Sequence, residues 1–91
     1  MQVTVEYTAQ IKRAAGTNSE QYTLNDESLP KSLLSEIVAR REDLTRFLIT
    51  ESGDPQPTLL LFIDEKQTRW DSDVTLTDGA KVTLMSPISG G

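Results

Sequence analysis

The sequence has neither cysteine nor histidine among its 91 residues. Without cysteine it can form no disulfide, no thiolate metal site and no thiol nucleophile. Without histidine it lacks the commonest general base and the commonest zinc ligand. These two absences exclude most familiar hydrolases and metalloenzymes, so we expect no catalytic residues, no metal and no bound cofactor.

Positive charge is also scarce, since 9 Lys and Arg face 14 Asp and Glu and leave a net charge of -5. Such a field repels nucleic acid and anionic membranes and favours a basic partner surface. The N-terminus shows no signal-peptide pattern, and no apolar run approaches membrane-spanning length. We therefore expect a soluble cytoplasmic protein that binds neither nucleic acid nor membrane. The length fits one domain, residues 1–91, with a modest core and a tail at about 87–91.

The spacing of apolar residues predicts five strands and one main helix. The helix should begin after Ser28 as its cap and end near Arg41, with Leu29, Leu33 and Ile37 on its apolar stripe. Residues 14–18 have loop composition, residues 43–50 are ambiguous between a loop and a helical turn, and residues 51–57 are a loop. The predicted strands lie at about residues 3–7, 21–24, 59–63, 66–70 and 82–85.

This order predicts an α+β fold of the β-grasp (ubiquitin-like) type, with a mixed sheet and the helix packed on one face. The first and last strands would pair in parallel at the centre. The apolar run at residues 59–63 should then turn alternate side chains away from the helix. Leu60, Phe62 and Met85 form the candidate docking patch for a partner on that outer face. Alternatively, residues 43–57 or a second copy of the chain cover these side chains.

Two pairs of residues invite other interpretations that the pattern does not favour. Asp71 and Asp73 are carboxylates two residues apart, but they lack the further ligands of a calcium loop, so we interpret them as a polar loop. Trp70 beside Arg69 could stack on a ligand, although a half-buried strand residue is the ordinary interpretation. We assign no site to either pair.

The chain ends in Gly90-Gly91. Glycine has no Cβ, so such a tail can adopt backbone conformations closed to other residues and enter a narrow channel in a partner. A chance ending or a cloning scar would leave the same two residues. The residues that precede the tail must therefore decide between these explanations.

Those residues resemble the C-terminal signature of ubiquitin-like sulfur carrier proteins, above all the small subunit of molybdopterin synthase. In that family the last strand follows a Leu-x-Asp-Gly turn and runs into Pro-Pro, an aliphatic residue, a small residue and Gly-Gly. Here the turn is Leu76-Thr77-Asp78-Gly79 and the chain ends Ser86-Pro87-Ile88-Ser89-Gly90-Gly91. Residues 9–17 also resemble the first loop of that subunit.

The resemblance implies that Gly91 is the site of sulfur attachment. An ATP-dependent adenylating enzyme would activate its carboxylate, and a sulfur donor would convert it to a thiocarboxylate. The acceptor would be the large subunit of molybdopterin synthase or another sulfur-accepting enzyme. Gly90, Ser89, Ile88 and Pro87 would thread the tail into these partners. The protein itself would be a carrier and a substrate, not an enzyme, and the ATP would be used by its partner.

Three other functions stay open at this point. A sulfur carrier for cysteine biosynthesis or for tRNA thiolation uses the same chemistry. A ubiquitin-type modifier would join Gly91 to a lysine of a target protein. A plain β-grasp interaction domain would carry the Gly-Gly end by accident.

Overall fold

Five strands and three α-helices make up residues 1–86, which are the part of the chain that the computed structural model describes. The strands are β1 (Gln2–Tyr7), β2 (Ser19–Thr23), β3 (Leu60–Ile63), β4 (Lys66–Thr68) and β5 (Lys81–Met85). The helices are α1 (Ala9–Ala15), α2 (Pro30–Arg40) and α3 (Thr45–Leu48), and a 3₁₀ turn (Glu42–Leu44) precedes α3.

The strands form one mixed sheet in the order β2-β1-β5-β3-β4. Strands β1 and β5 pair in parallel at its centre, with Val5 opposite Val82, and the other pairs are antiparallel. This is the β-grasp, ubiquitin-like arrangement, so the predicted fold and the central parallel pair are confirmed.

The core lies between one face of this sheet and α2. Alternation in β1 buries Val3, Val5 and Tyr7, while the helical spacing of α2 buries Leu33 and Ile37 completely. Burying each such aliphatic side chain contributes about 1.5–3 kcal/mol. The 3₁₀ turn and α3 add the fully buried Leu44 and Leu48, which close one end of the core. The ambiguous segment is therefore helical up to Leu48, and Ile49 then forms an isolated β-bridge with Pro55.

The start of α2 differs from the prediction. The helix begins at Pro30, Leu29 occupies the N-cap position, and no side chain caps it. The Ser28 hydroxyl instead donates to the Asn25 carbonyl oxygen at 2.6 Å. Proline in the first turn sets the helix start because its φ is already helical. Leu29 thus lies outside the apolar stripe and is 39% exposed.

The connection between β1 and β2 holds a helix that the sequence analysis missed. Helix α1 ends at Gly16, whose φ of +74° is left-handed and whose N–H donates to the Lys12 carbonyl oxygen at 3.0 Å. Ile11 is its one fully buried residue, so the segment shows no apolar period. Its alanine, glutamine, lysine and arginine are nevertheless strong helix formers, and that composition was the available signal.

Strand β4 is shorter than predicted and ends at Thr68. Trp70 therefore leaves the sheet, and its Nε1–H donates to the Leu59 carbonyl oxygen at 2.9 Å. The indole is half-buried against the core, and this hydrogen bond satisfies its only polar atom. Trp70 has a structural role here.

Candidate functional site: the outer sheet face and the start of the tail

The predicted attachment residue and the predicted threading residues lie outside the described residues. These are Gly91, and Gly90, Ser89, Ile88 and Pro87. Their roles stay predictions, and the structure instead shows where the tail begins. It follows β5 and Ser86, beside the end of the parallel strand β1.

The last strand is held firmly at this point. Leu84 is fully buried, and its carbonyl oxygen accepts a hydrogen bond of 2.9 Å from the Thr8 hydroxyl. Thr8 lies at the junction of β1 and α1. The last strand before Ser86 is thus held in place by burial and by a side-chain hydrogen bond.

The three residues of the candidate docking patch lie together on the outer face of the sheet. In the antiparallel pairing of β3 with β5, Leu60 lies directly opposite Met85. Phe62 is two residues further along β3, on the same face. All three side chains are half-buried, so the described residues cover them only in part.

Polar residues border this patch. Phe62 lies opposite Thr83 in β5 and opposite Gln67 in β4. An apolar centre with a polar border is the usual organisation of a protein–protein interface. The patch and the start of the tail are continuous, because Met85 is followed directly by Ser86.

A second surface at the start of the tail was missed by the sequence analysis. Ser86 lies at a groove of about 760 Å³ between α1 and α3, which we call the arginine groove. Arg13 of α1 and Arg46 of α3 both line it. The Arg46 guanidinium carbon lies 4.8 Å from the centroid of the Phe47 ring, a cation–π contact. No local pattern joins these two arginines, since only the fold brings them together.

A cluster of ionisable residues joins β1 and β2 to the end of α2. The Tyr7 hydroxyl donates to Glu20 Oε1 at 2.7 Å, and Arg41 Nη1 donates to Glu20 Oε2 at 2.8 Å. Burial, followed by the hydrogen bond with Tyr22, raises the pKa of Tyr7 far above its ordinary value. Tyr7 therefore stays protonated at neutral pH and serves as a donor, so this cluster is structural.

Burial alone would raise the pKa of Glu20. The hydrogen bonds from Tyr7 and Arg41 outweigh that effect and hold the pKa below its ordinary value. Glu20 is thus a carboxylate at neutral pH and a stable acceptor for both donors.

The other candidates from the sequence have partners within the described residues. Asp71 pairs with Arg69 at 3.0 Å, which fits a polar loop. Within residues 1–86 no group of acidic side chains is arranged to hold a metal ion. In the same residues, no helix is both long enough and apolar enough to span a bilayer.

The fold defines a class, the ubiquitin-like β-grasp proteins. The chain is 28% identical over 91 residues to the molybdopterin synthase sulfur carrier subunit of Chlamydomonas reinhardtii, with 100% of both chains covered. The similarity to ubiquitin-like sulfur carriers, first seen at the two ends of the sequence, thus extends along its whole length. No protein-family model matches the chain.

Two solved structures share the fold. SAMP1 of Haloferax volcanii, a small archaeal modifier protein, has a TM-score of 0.90 at 14% identity, with 100% of both chains covered. A chain of the complex of subunits 1 and 2 of the molybdopterin-converting factor from Helicobacter pylori has a TM-score of 0.62 at 21% identity, again with 100% of both chains covered. At these identities the two structures establish the fold and not the function.

Proposed function

We propose that this protein is a sulfur carrier that takes up sulfur as a thiocarboxylate on Gly91 and serves as the small subunit of molybdopterin synthase. The observation that carries the proposal is the full-length similarity to the C. reinhardtii sulfur carrier subunit in a chain that ends in Gly-Gly. The absence of histidine and cysteine agrees with a carrier that uses the catalytic groups of its partners.

The chemistry would take place at the terminal carboxylate. An oxygen of Gly91 attacks the α-phosphorus of ATP in an adenylating enzyme, and pyrophosphate leaves. The resulting acyl adenylate has an electrophilic carbonyl carbon, which hydrosulfide attacks while the bond to AMP breaks. The products are AMP, a proton and a thiocarboxylate. The thiocarboxylate sulfur is a better nucleophile than a carboxylate oxygen and can be passed to an acceptor. The proposal includes a cytoplasmic location, where ATP for the adenylation is available.

The outer patch would dock the partner enzymes. Leu60, Phe62 and Met85 lie next to the start of the tail, so one contact could hold the domain while residues 87–91 reach the partner's active site. The complex of the two H. pylori subunits supports a large subunit as one such partner. The adenylating enzyme is the other.

Two alternatives share this carboxylate chemistry. The carrier could supply cysteine biosynthesis or tRNA thiolation instead of molybdopterin synthase. A modifier would pass the activated Gly91 carbonyl to a lysine amine, and the similarity of fold to SAMP1 favours testing this directly.

Mass spectrometry of the intact protein tests these alternatives. The protein is incubated with ATP, sulfide and each adenylating enzyme of the source organism, and we expect one terminal oxygen to be replaced by sulfur. The variant that lacks Gly91 should stay unchanged. Transfer of the sulfur to a precursor in the presence of the large subunit identifies the pathway. Attachment of the whole chain to lysines would favour the modifier instead, and no mass change with any enzyme would contradict both functions.

A matched pair of variants tests the patch, and the quantity measured is the affinity for the partner enzyme. Phe62→Asp places a charge in the apolar centre, whereas Gln67→Asp places the same charge on the polar border opposite it. We expect the first to weaken binding to the partner roughly tenfold or more and the second to change it little. Equal effects would show that the patch is not the docking surface.

A further inference from the structure

Within residues 1–86, four of the nine Lys and Arg side chains are paired with a carboxylate, and two of the other five line the arginine groove. Arg40, Arg41, Arg69 and Lys81 each lie within 4.0 Å of a carboxylate. Within residues 1–86, neither Arg13 nor Arg46 has such a contact. Both nevertheless line one groove, and no acidic side chain of these residues lines it with them.

The groove is built on well-held backbone. Gln56 Nε2 donates to the carbonyl oxygens of Arg46 and Ile49 at 3.2 and 3.0 Å, which fixes the end of α3. The Phe47 ring supports the Arg46 guanidinium on one face, and the edge of the guanidinium carries its hydrogen-bond donors. On the opposite wall, α1 carries Arg13 in its last turn. Arg13 and Arg46 thus line the same groove as Ser86.

We propose that the arginine groove binds an extended, carboxylate-bearing segment of the adenylating enzyme at the mouth of the channel that admits the tail. This inference rests on the proposed function. Guanidinium is charged at every physiological pH, and its planar fork matches a carboxylate. Two arginines that lack a carboxylate contact within residues 1–86 and line one groove therefore favour an acidic segment as the ligand.

The length of the tail sets the distance between the arginine groove and the reaction of Gly91 with ATP. Five residues beyond Ser86 span at most about 18 Å when fully extended. The groove therefore meets the partner at the rim of the channel, whereas ATP reacts at the far end of the tail. For that reason a protein carboxylate fits the groove better than a nucleotide phosphate.

The charge distribution also gives the contact a role in orientation. With a net charge of -5, most of the surface repels an acidic segment. The groove attracts the acidic segment of the adenylating enzyme to a position next to the start of the tail. The two proteins would therefore meet most often with the tail at the mouth of the enzyme's channel. Such complementarity acts on association and specificity more than on chemistry.

ATP–pyrophosphate exchange with the adenylating enzyme at low salt tests the proposal. The double variant R13E/R46E should raise the KM for the carrier at least tenfold and leave kcat within about twofold, because docking is lost while the carboxylate is intact. R13A/R46A should raise KM about fivefold, as expected for two exposed ion pairs. The KM of the unmodified protein should rise with salt, and that of R13A/R46A should respond less.

The matched control is K31E/K66E. Lys31 and Lys66 are exposed cations outside the arginine groove, and within residues 1–86 neither contacts a carboxylate at 4.0 Å or less. This variant changes the net charge by the same amount as R13E/R46E, and we expect KM to rise less than threefold. Thermal unfolding confirms that each variant is folded.

The possible failures are distinguishable. If both double variants raise KM equally, the effect comes from net charge and the groove proposal is wrong. If R13E/R46E behaves like the unmodified protein while exchange proceeds normally, the groove proposal fails and the carrier function stands. If the unmodified protein supports no exchange with any adenylating enzyme of the source organism, both are overturned.

Discussion

Glu20 of β2 links two other elements to its own strand, namely β1 and the end of α2. Its carboxylate accepts from Tyr7 of β1 and from Arg41 just after α2. Arg41 also donates through Nη2 to the Ala15 carbonyl oxygen at 2.7 Å, at the end of α1. Glu20 therefore holds Arg41, and Arg41 in turn bonds the end of α1, which forms a wall of the arginine groove.

We expect Glu20→Gln to lower the free energy of unfolding at pH 7 by about 1–3 kcal/mol, since hydrogen bonds to a charged acceptor are lost. The folded-state pKa of Glu20 lies below its unfolded value. Its contribution is therefore present above the unfolded pKa and is lost as the pH falls through the folded one. Urea unfolding of both proteins at several pH values should show the gap closing in acid.

Glu36→Gln is the control, because Glu36 is exposed on α2 and lies outside this cluster. It should change stability by less than about 0.5 kcal/mol. A Glu20→Gln gap that stays constant down to the acid transition would contradict the assigned role of the carboxylate.

The positions of some residues in the candidate site could be predicted from sequence, and those of others could not. That Leu60, Phe62 and Met85 share the outer face could be predicted because strand alternation is local and has a period of two. Arg13 and Arg46 carry no such signal, since they come from two short helices that meet only in the folded chain. The free or paired state of a charge is likewise a tertiary property.

The β3–β4 hairpin shows how an element can form against local preference. Its turn consists of Asp64 and Glu65, with φ values of +48° and +73°, where glycine or asparagine is usual. Two hydrogen bonds with Lys81 of β5 stabilise Asp64 in this conformation. The Asp64 N–H donates to the Lys81 carbonyl oxygen at 2.8 Å, and Asp64 Oδ1 accepts from the Lys81 N–H at 3.0 Å. Glu65 makes only an exposed ion pair with Lys81 at 3.4 Å.

We expect Glu65→Gly to be more stable than Glu65→Ala by about 1 kcal/mol, because only glycine adopts this φ without strain. Both variants lose the same exposed carboxylate, so the comparison isolates the backbone effect. Denaturant unfolding of the two proteins measures the difference. Equal stability would mean that the turn relaxes to a different conformation.

At this scale, sequence predicted the elements that have a clear apolar period. Strands β1, β2 and β5 and helix α2 are of this kind, whereas β3 was predicted from a continuous apolar run and β4 as its hairpin partner. Helix α1 was missed because a two-turn helix with one buried residue leaves no period to detect. The start of α2 was placed one residue early because Ser28 is used in a turn.

The whole molecule combines a net charge of -5 with an apolar patch on the outer sheet face and the arginine groove beside Ser86. The order of strands and helix, together with the rules for connections, was enough to predict the β-grasp topology. The net charge alone favoured a basic partner. The proposed role of the arginine groove refines that expectation. A local basic site on a surface that otherwise repels acidic groups would determine how the partner is oriented as well as which partner binds.

The last prediction concerns the independence of the domain from its tail. Removal of residues 87–91 should leave the free energy of unfolding within about 0.5 kcal/mol and the urea m-value unchanged. The reason is that residues 1–86 already form a continuous core and leave no buried side-chain nitrogen or oxygen without a hydrogen-bond partner.

The control is a chain that ends at Thr83. It lacks the fully buried Leu84, whose carbonyl oxygen anchors Thr8, and we expect it to lose at least about 3 kcal/mol. If removal of residues 87–91 alone cost more than about 1 kcal/mol, the tail would pack on the domain in the free protein. Delivery of Gly91 to a partner would then require that packing to break first, and the rate of adenylation would depend on the stability of the packed tail.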